Sequence, residues 1–365
     1  DLGIERASTI PKLWYLDDLI YAAEREAVFG DSWVVACRLD QVSKPGEFVT
    51  TDIAGEPVIV IREAKDMQLR AYSNVCRHRA AKLEAAACGV ANKLRCHYHG
   101  WTYDSGTGKL IGVPEFGKVC DFRRDDNGLP SWSIDSWGPY VFVRAPWAKS
   151  TESLVEHLKP LPTLYGGLGI EKLKFVRRRD DYVLECNWKV FVDNYLDGCY
   201  HCRTIHPRLF GAIDYKNYKS TCEHNTVVQS SPLKVAEDAG VSSVRKGAAY
   251  YSWVWPNLML NAYDGVLDTN LVLPLGPNRC RVIFDFFFAD TEGAEQKALI
   301  DKSITLAHEV QMEDAGVCEE VQAGLASASF NTGRFSVKRE PGGYHFHKLL
   351  AGKLKALAAP SDPVN

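Results

Sequence analysis

The sequence predicts an α+β fold in two units: an antiparallel β unit in the N-terminal half and a larger unit whose mixed or antiparallel sheet is flanked by helices. Three observations carry this expectation. Short β-branched and aromatic runs separated by turn residues crowd positions 33–145; Pro160, Pro162 and Gly166-Gly167 then punctuate the chain; beyond them a long strand-like run alternates with helix-like ones.

The runs Trp33-Val34-Val35-Ala36, Val58-Ile59-Val60-Ile61, Leu69-Arg70-Ala71-Tyr72 and Tyr140-Val141-Phe142-Val143 read as strands of the first unit, assigned to residues 31–150. Residues 151–158 suit a short amphipathic helix leading into the Pro/Gly linker. After the linker, 279–289 reads as a long strand and 188–201, 295–327 and 344–358 as helices. The second unit is assigned residues 151–365 together with 1–30, which are expected to pack on it.

With 46% apolar and 24% charged residues over 365 positions, the composition is that of a globular protein with enough chain for two cores. A formal net charge of −3 provides no basic field for nucleic acid, and Arg177-Arg178-Arg179 is expected to be a solvated strand end. No run of about eighteen apolar residues marks a membrane span, and the first residues lack a secretory pattern. Asp1 in place of Met suggests a trimmed chain. Eleven Cys without regular spacing favour a reducing compartment in which thiols ligate metal or pack.

Two pairs of donors stand out. Cys76-Arg77-His78 and Cys96-His97-Tyr98-His99 each offer one thiolate and one imidazole within a tight loop, with seventeen residues between the pairs. In a Rieske 2Fe-2S cluster two Cys hold one iron and two His the other, so Cys76 and Cys96 would take the inner iron and His78 and His99 the outer. A Cys2His2 zinc site and two unrelated pairs are the competing accounts.

A second constellation lies at residues 187–206. His201 and His206, with a carboxylate from far along the chain, could cap one face of Fe(II) and leave the opposite positions open. Asp314 is the chosen carboxylate and Glu313 the fallback. Five steps of about 100° carry His206 about 140° past His201 on a regular helix, so the helix must be distorted or end between them. Pro207 agrees with an ending. Taken alone, two His near a helix end are more often packing or surface residues.

These motifs together resemble the Rieske non-haem iron oxygenase alpha-subunit family across nearly the whole chain. Asp193-Asn194-Tyr195-Leu196-Asp197, Trp137-Gly138-Pro139, Leu271-Val272-Leu273-Pro274-Leu275-Gly276-Pro277, Glu313-Asp314 with Cys318-Glu319 and Gln322-Ala323-Gly324-Leu325, and His345-Phe346-His347 are similar to its choline monooxygenase branch in plants. The resemblance implies a 2Fe-2S cluster, a mononuclear Fe(II) on His201, His206 and Asp314, and O2 as co-substrate. It also implies a homotrimer fed by a reductase or ferredoxin, in the cytoplasm or a chloroplast stroma. An acid bridges one subunit's cluster to its neighbour's iron in this family, three residues before the first iron His. That position is Gly198 here, so the bridge is assigned to Asp197, four residues before His201 and also one helical turn away, with Asn194 named beside it as a catalytic candidate.

The implied substrate is a small quaternary ammonium compound: choline hydroxylated to betaine aldehyde hydrate first, or glycine betaine, carnitine or proline betaine N-demethylated. An aromatic-ring oxygenase and a cluster-only electron-transfer protein are the further alternatives. Tyr251, Trp253 and Trp255 alternate along a strand and could offer ring faces to such a cation, at about 0.5 to 2 kcal/mol each; sheet-core packing explains the same alternation. Cys199-Tyr200-His201-Cys202 is expected to be packing rather than a redox dithiol. Gly106-Thr107-Gly108-Lys109 suits a hairpin turn, and neither it nor Gly166-Gly167-Leu168-Gly169 has a nucleotide-binding spacing.

Overall fold

The computed structural model describes residues 2–234, 245 and 247–358. The chain divides into two compact units, Phe29–Leu154 and a second formed by the residues up to Val28 with those from Val155 onward.

Three small antiparallel sheets build the Phe29–Leu154 unit. The first runs Val34–Arg38, Tyr140–Arg144, Ser133–Trp137; the second Leu69–Ser73, Glu56–Arg62, Glu47–Ile53, Cys88–Val90; the third Lys93–Arg95, Thr102–Asp104, Leu110–Gly112. Val58 to Ile61 are completely buried, which is why their stretch of the sequence is an unbroken β-branched run. The Gly106–Lys109 stretch is the expected tight turn: Asp104 accepts the N–H groups of Gly106 and Thr107. Gly108 closes the turn at φ +69°, and a Cβ there would lie 2.7 Å from the Tyr72 ring.

Seven strands form one sheet in the other unit, in the order Lys174–Leu184, Arg279–Phe288, Val266–Gly276, Leu258–Tyr263, Ala248–Val254, Thr226–Pro232, Lys219–Glu223. Every pair is antiparallel, so of the two expected sheet types the mixed one is excluded. Arg177, Arg178 and Arg179 lie inside the first of these strands rather than at a solvated end, and pair with Asp301, Asp285 and Asp181. Neighbouring strands set Gln229 opposite Tyr251, Tyr251 opposite Asn261 and Asn261 opposite Asp268, a row of polar groups across a buried face. Apolar residues would fill that row if it served packing alone.

Helices Trp188–Tyr195, Ala294–Leu325 and Pro341–Ala358 cover this face. The expected helix 188–201 stops at Tyr195: Gly198 and Cys199 follow at φ +67° and +58°. Gly198 passes so close to the chain that its Cβ would sit 2.0 Å from the Arg339 carbonyl oxygen. One break therefore precedes His201, and the expected ending between the two histidines is present as well: a short helix Cys202–Ile205 stops before His206, which leaves helical geometry at φ −117° and ψ 65°, and Pro207 opens the next. From the N-terminal segment, Glu24 pairs with Lys189 at 2.7 Å, both fully buried, and accepts from Trp188 Nε1. Tyr15 donates to Asp193, whose other oxygen accepts from His347.

Candidate metal centres and the cavity beside one of them

Cys76 and Cys96 open two loops of the same design. In each, the thiol residue's N–H reaches the carbonyl five residues on (Ala81, Trp101) and its carbonyl accepts the N–H four residues on (Ala80, Gly100). A left-handed residue, Ala80 or Gly100, completes each turn. Both thiols are buried, while His78 is half-buried and His99 exposed. The imidazoles face each other through Nδ1 at 3.1 Å, and His78 stacks on Trp101. Tyr103 Oη accepts the Arg77 N–H and so turns its own hydrogen to Cys76 Sγ at 3.4 Å. Burial, then the neighbouring His99 and Arg79, hold His78 below the usual imidazole range, which keeps a lone pair free for a metal. Two sulfurs beneath and two ring nitrogens above are the donor set of a two-iron Rieske cluster.

The helix break delivers the second centre. Asp197 Oδ2 accepts from His201 Nδ1 at 2.5 Å, and Glu313 Oε2 from His206 Nδ1 at 2.5 Å. The two Nε2 atoms then point at one carboxylate oxygen, Asp314 Oδ1, 3.6 Å from His201 and 2.9 Å from His206. Among the described residues this is the group of three His, Cys, Asp or Glu side chains whose ligand atoms all lie within 4.8 Å of one another. Carboxylates on Nδ1 leave Nε2 as the ligating atom, the arrangement of metal-bound histidine. Asn194 Nδ2 donates to the same Asp314 oxygen at 2.6 Å. Glu313, the fallback ligand, thus orients a histidine instead. Desolvation lowers the His206 pKa, but Asp314 and Glu313 outweigh it and the net shift is upward.

A cavity of about 840 Å³, mouth included, opens beside the triad. Its sheet side is the polar row together with Tyr263, Asn270 and Phe284; its helix side includes Phe191, Tyr195 and Gln311. Burial pushes the phenols of Tyr195, Tyr218, Tyr251 and Tyr263 up, so they stay neutral.

The catalytic-domain model of the ring hydroxylating alpha subunit family matches residues 171–356, and that of the Rieske [2Fe-2S] domain matches 32–131. The chain is 36% identical to the chloroplastic choline monooxygenase of Arabidopsis thaliana, over 97% of this chain and 85% of that one. It belongs to the Rieske oxygenase alpha-subunit family. The carnitine monooxygenase oxygenase subunit of Escherichia coli (strain K12) is 29% identical over 96% of this chain and 95% of that one. A crystal structure of a quaternary ammonium Rieske monooxygenase with L-carnitine superposes with a TM-score of 0.78 at 27% identity, covering 95% and 96% of the two chains.

This Rieske oxygenase is a non-haem iron monooxygenase with a 2Fe-2S cluster, a mononuclear iron and O2 as co-substrate. Of its three expected aromatic substrate residues, only Tyr251 lines the cavity. Trp253 and Trp255 are core residues, packed on each other and on Phe346, because the sheet face that carries them is already covered by the Pro341–Ala358 helix. Cys199 and Cys202 are not mere packing: they form a disulfide on the cavity wall, flanking His201. Tyr195, Tyr218, Tyr263, Arg245 and Asp268 escaped sequence reasoning. The available signal was polar residues two apart in otherwise apolar strands, Asn261 with Tyr263 and Asp268 with Asn270. No helix of the described residues is long and apolar enough to cross a membrane.

Proposed function

We propose that this oxygenase hydroxylates a C–H bond of a small quaternary ammonium compound, choline first, at its alcohol carbon, to give betaine aldehyde hydrate. The observation that carries the reading is a cavity walled by neutral aromatic rings and running to the His201, His206, Asp314 triad. A quaternary nitrogen offers no hydrogen bond, and aromatic faces are what attract it. N-demethylation of carnitine or a related betaine is the second reading, favoured by the near-complete superposition on an enzyme crystallised with L-carnitine.

In this reading Cys76, Cys96, His78 and His99 hold the cluster, and His201, His206 and Asp314 the iron. When bound, the cluster supplies electrons and the iron the activation of O2. The chain's own groups do the rest. Asp197 and Glu313 fix the ring orientation of the two histidines, and Asn194 holds Asp314. Asp197 is assigned the bridge to the cluster of a neighbouring subunit in a homotrimer, with electrons arriving from a reductase or ferredoxin in the cytoplasm or chloroplast stroma.

Oxygen uptake by the reduced holoenzyme, followed against product for choline, glycine betaine, carnitine and proline betaine, tests the assignment. Betaine aldehyde from choline supports the first reading, and formaldehyde from an N-methyl compound the second. Oxygen consumption without an oxidised product from any of them rejects both.

A further inference from the structure

The cavity contains an ion pair the iron chemistry does not use. Arg245, only 6% exposed, lines it beside Asp268, which is 2% exposed. Arg245 Nη2 donates to Asp268 Oδ1 at 3.0 Å, and Asn261 Nδ2 donates to Asp268 Oδ2 at 3.0 Å, so both oxygens of this carboxylate have partners. The guanidinium is less well supplied: Nη1 donates to Tyr263 Oη at 2.8 Å, while Nε, itself sealed from solvent, has no hydrogen-bond partner among the described residues. A guanidinium has five N–H groups in a planar fork, and a buried one without an acceptor is costly. The pair therefore lines the cavity as a guanidinium held by a single carboxylate whose own oxygens are both engaged.

The aromatic groups divide accordingly. Arg245 sits over the Tyr263 ring at 4.5 Å, so that ring face already has its cation. Tyr218 and Tyr251, near-parallel at 6.5 Å between centroids, carry no cation of the protein among the described ring contacts and remain for a ligand's quaternary nitrogen. A bare cation such as choline would bring like charge toward Arg245, whose counter-ion Asp268 already has both oxygens engaged. A carboxylate on the same ligand would instead bring a second counter-charge and a further acceptor to the guanidinium.

We propose that Arg245 is a specificity-determining residue that binds a substrate carboxylate, so that the preferred substrate is a zwitterionic betaine rather than choline. This rests on the quaternary ammonium reading above and, within it, favours the betaine of the second reading over the choline of the first. Asp268 keeps Arg245 in place, and its neutralising charge lets the empty cavity stay folded.

Choline and glycine betaine differ chiefly in a hydroxymethyl against a carboxylate, which makes them the probe pair. Calorimetric titration of the holoenzyme should give tighter binding of glycine betaine than of choline, by about tenfold or more. In Arg245→Gln/Asp268→Asn, which removes both charges together, that preference should vanish while tetramethylammonium binds as in the wild type. Arg245→Lys, which keeps the charge but loses the planar fork, should fall between. Equal or tighter binding of choline by the wild type, or a preference that survives the double substitution, overturns the proposal alone. Failure of tetramethylammonium and every quaternary compound to bind removes the quaternary ammonium reading and this proposal with it.

Discussion

Two adjacent acids on one helix, Glu313 and Asp314, have different work because successive helical positions diverge by about 100°. Asp314 reaches both Nε2 atoms and Glu313 the outer nitrogen of His206. Asp314→Asn should abolish mononuclear iron and leave the cluster's visible absorbance. Glu313→Gln should keep the iron but weaken its affinity by about 10–100-fold, measured as iron retained after dialysis against a chelator. An unaltered affinity in Glu313→Gln would remove its orienting role. The residue types of the triad were readable because few side chains ligate iron. Which of the two acids does so was a matter of helix rotation, fixed only once the helix is docked.

The element that sets the iron site is the interrupted helix after Tyr195. Apolar and aromatic residues continue through Leu196, Cys199 and Tyr200, so the sequence pattern runs on to 201. What stops the helix is the backbone at Arg339, remote in sequence, against which only glycine fits at 198. Gly198→Ala combines a left-handed φ with a main-chain clash and should cost on the order of 3–4 kcal/mol, read as a fall in melting temperature. A melting curve superposable on the wild type would show that the approach is not obligatory. The Thr102–Asp104 hairpin carries a different sensitivity. The Thr107 hydroxyl, then backbone N–H groups, hold Asp104 below the usual carboxylate range. Its contribution to stability is thus complete above the ordinary aspartate pKa and fades as pH falls below it toward the lowered value. Asp104→Asn should flatten that acid limb of the stability profile and leave the pH dependence of melting near neutrality unchanged; an unchanged acid limb would assign the effect elsewhere.

At the scale of the whole molecule, the two metal centres belong to separate compact units. Cys96→Ser should eliminate the cluster, and iron should drop from about three per chain to about one, the remaining ion being the mononuclear one. Loss of all iron would mean that the larger unit depends on the cluster to fold. The β unit announced itself through crowded short strands, and the larger unit through one long strand and two long helices. The cavity was far less visible, since its side chains come from five strands, four helices and the loops between them, and the sheet side is brought together only by strand register.

That register leaves the binding chamber open to revision. Main-chain ladders hold Gln229, Tyr251, Asn261 and Asp268 in line whatever side chains they bear. Exchanging Tyr251 or Asp268 would alter which molecule is accepted and leave the oxidising machinery, mounted on helices and loops opposite, as it was, whereas Gln229 is tied to the helix break through Tyr195 and Gly198. Descendants of such a scaffold could change diet without relearning their chemistry.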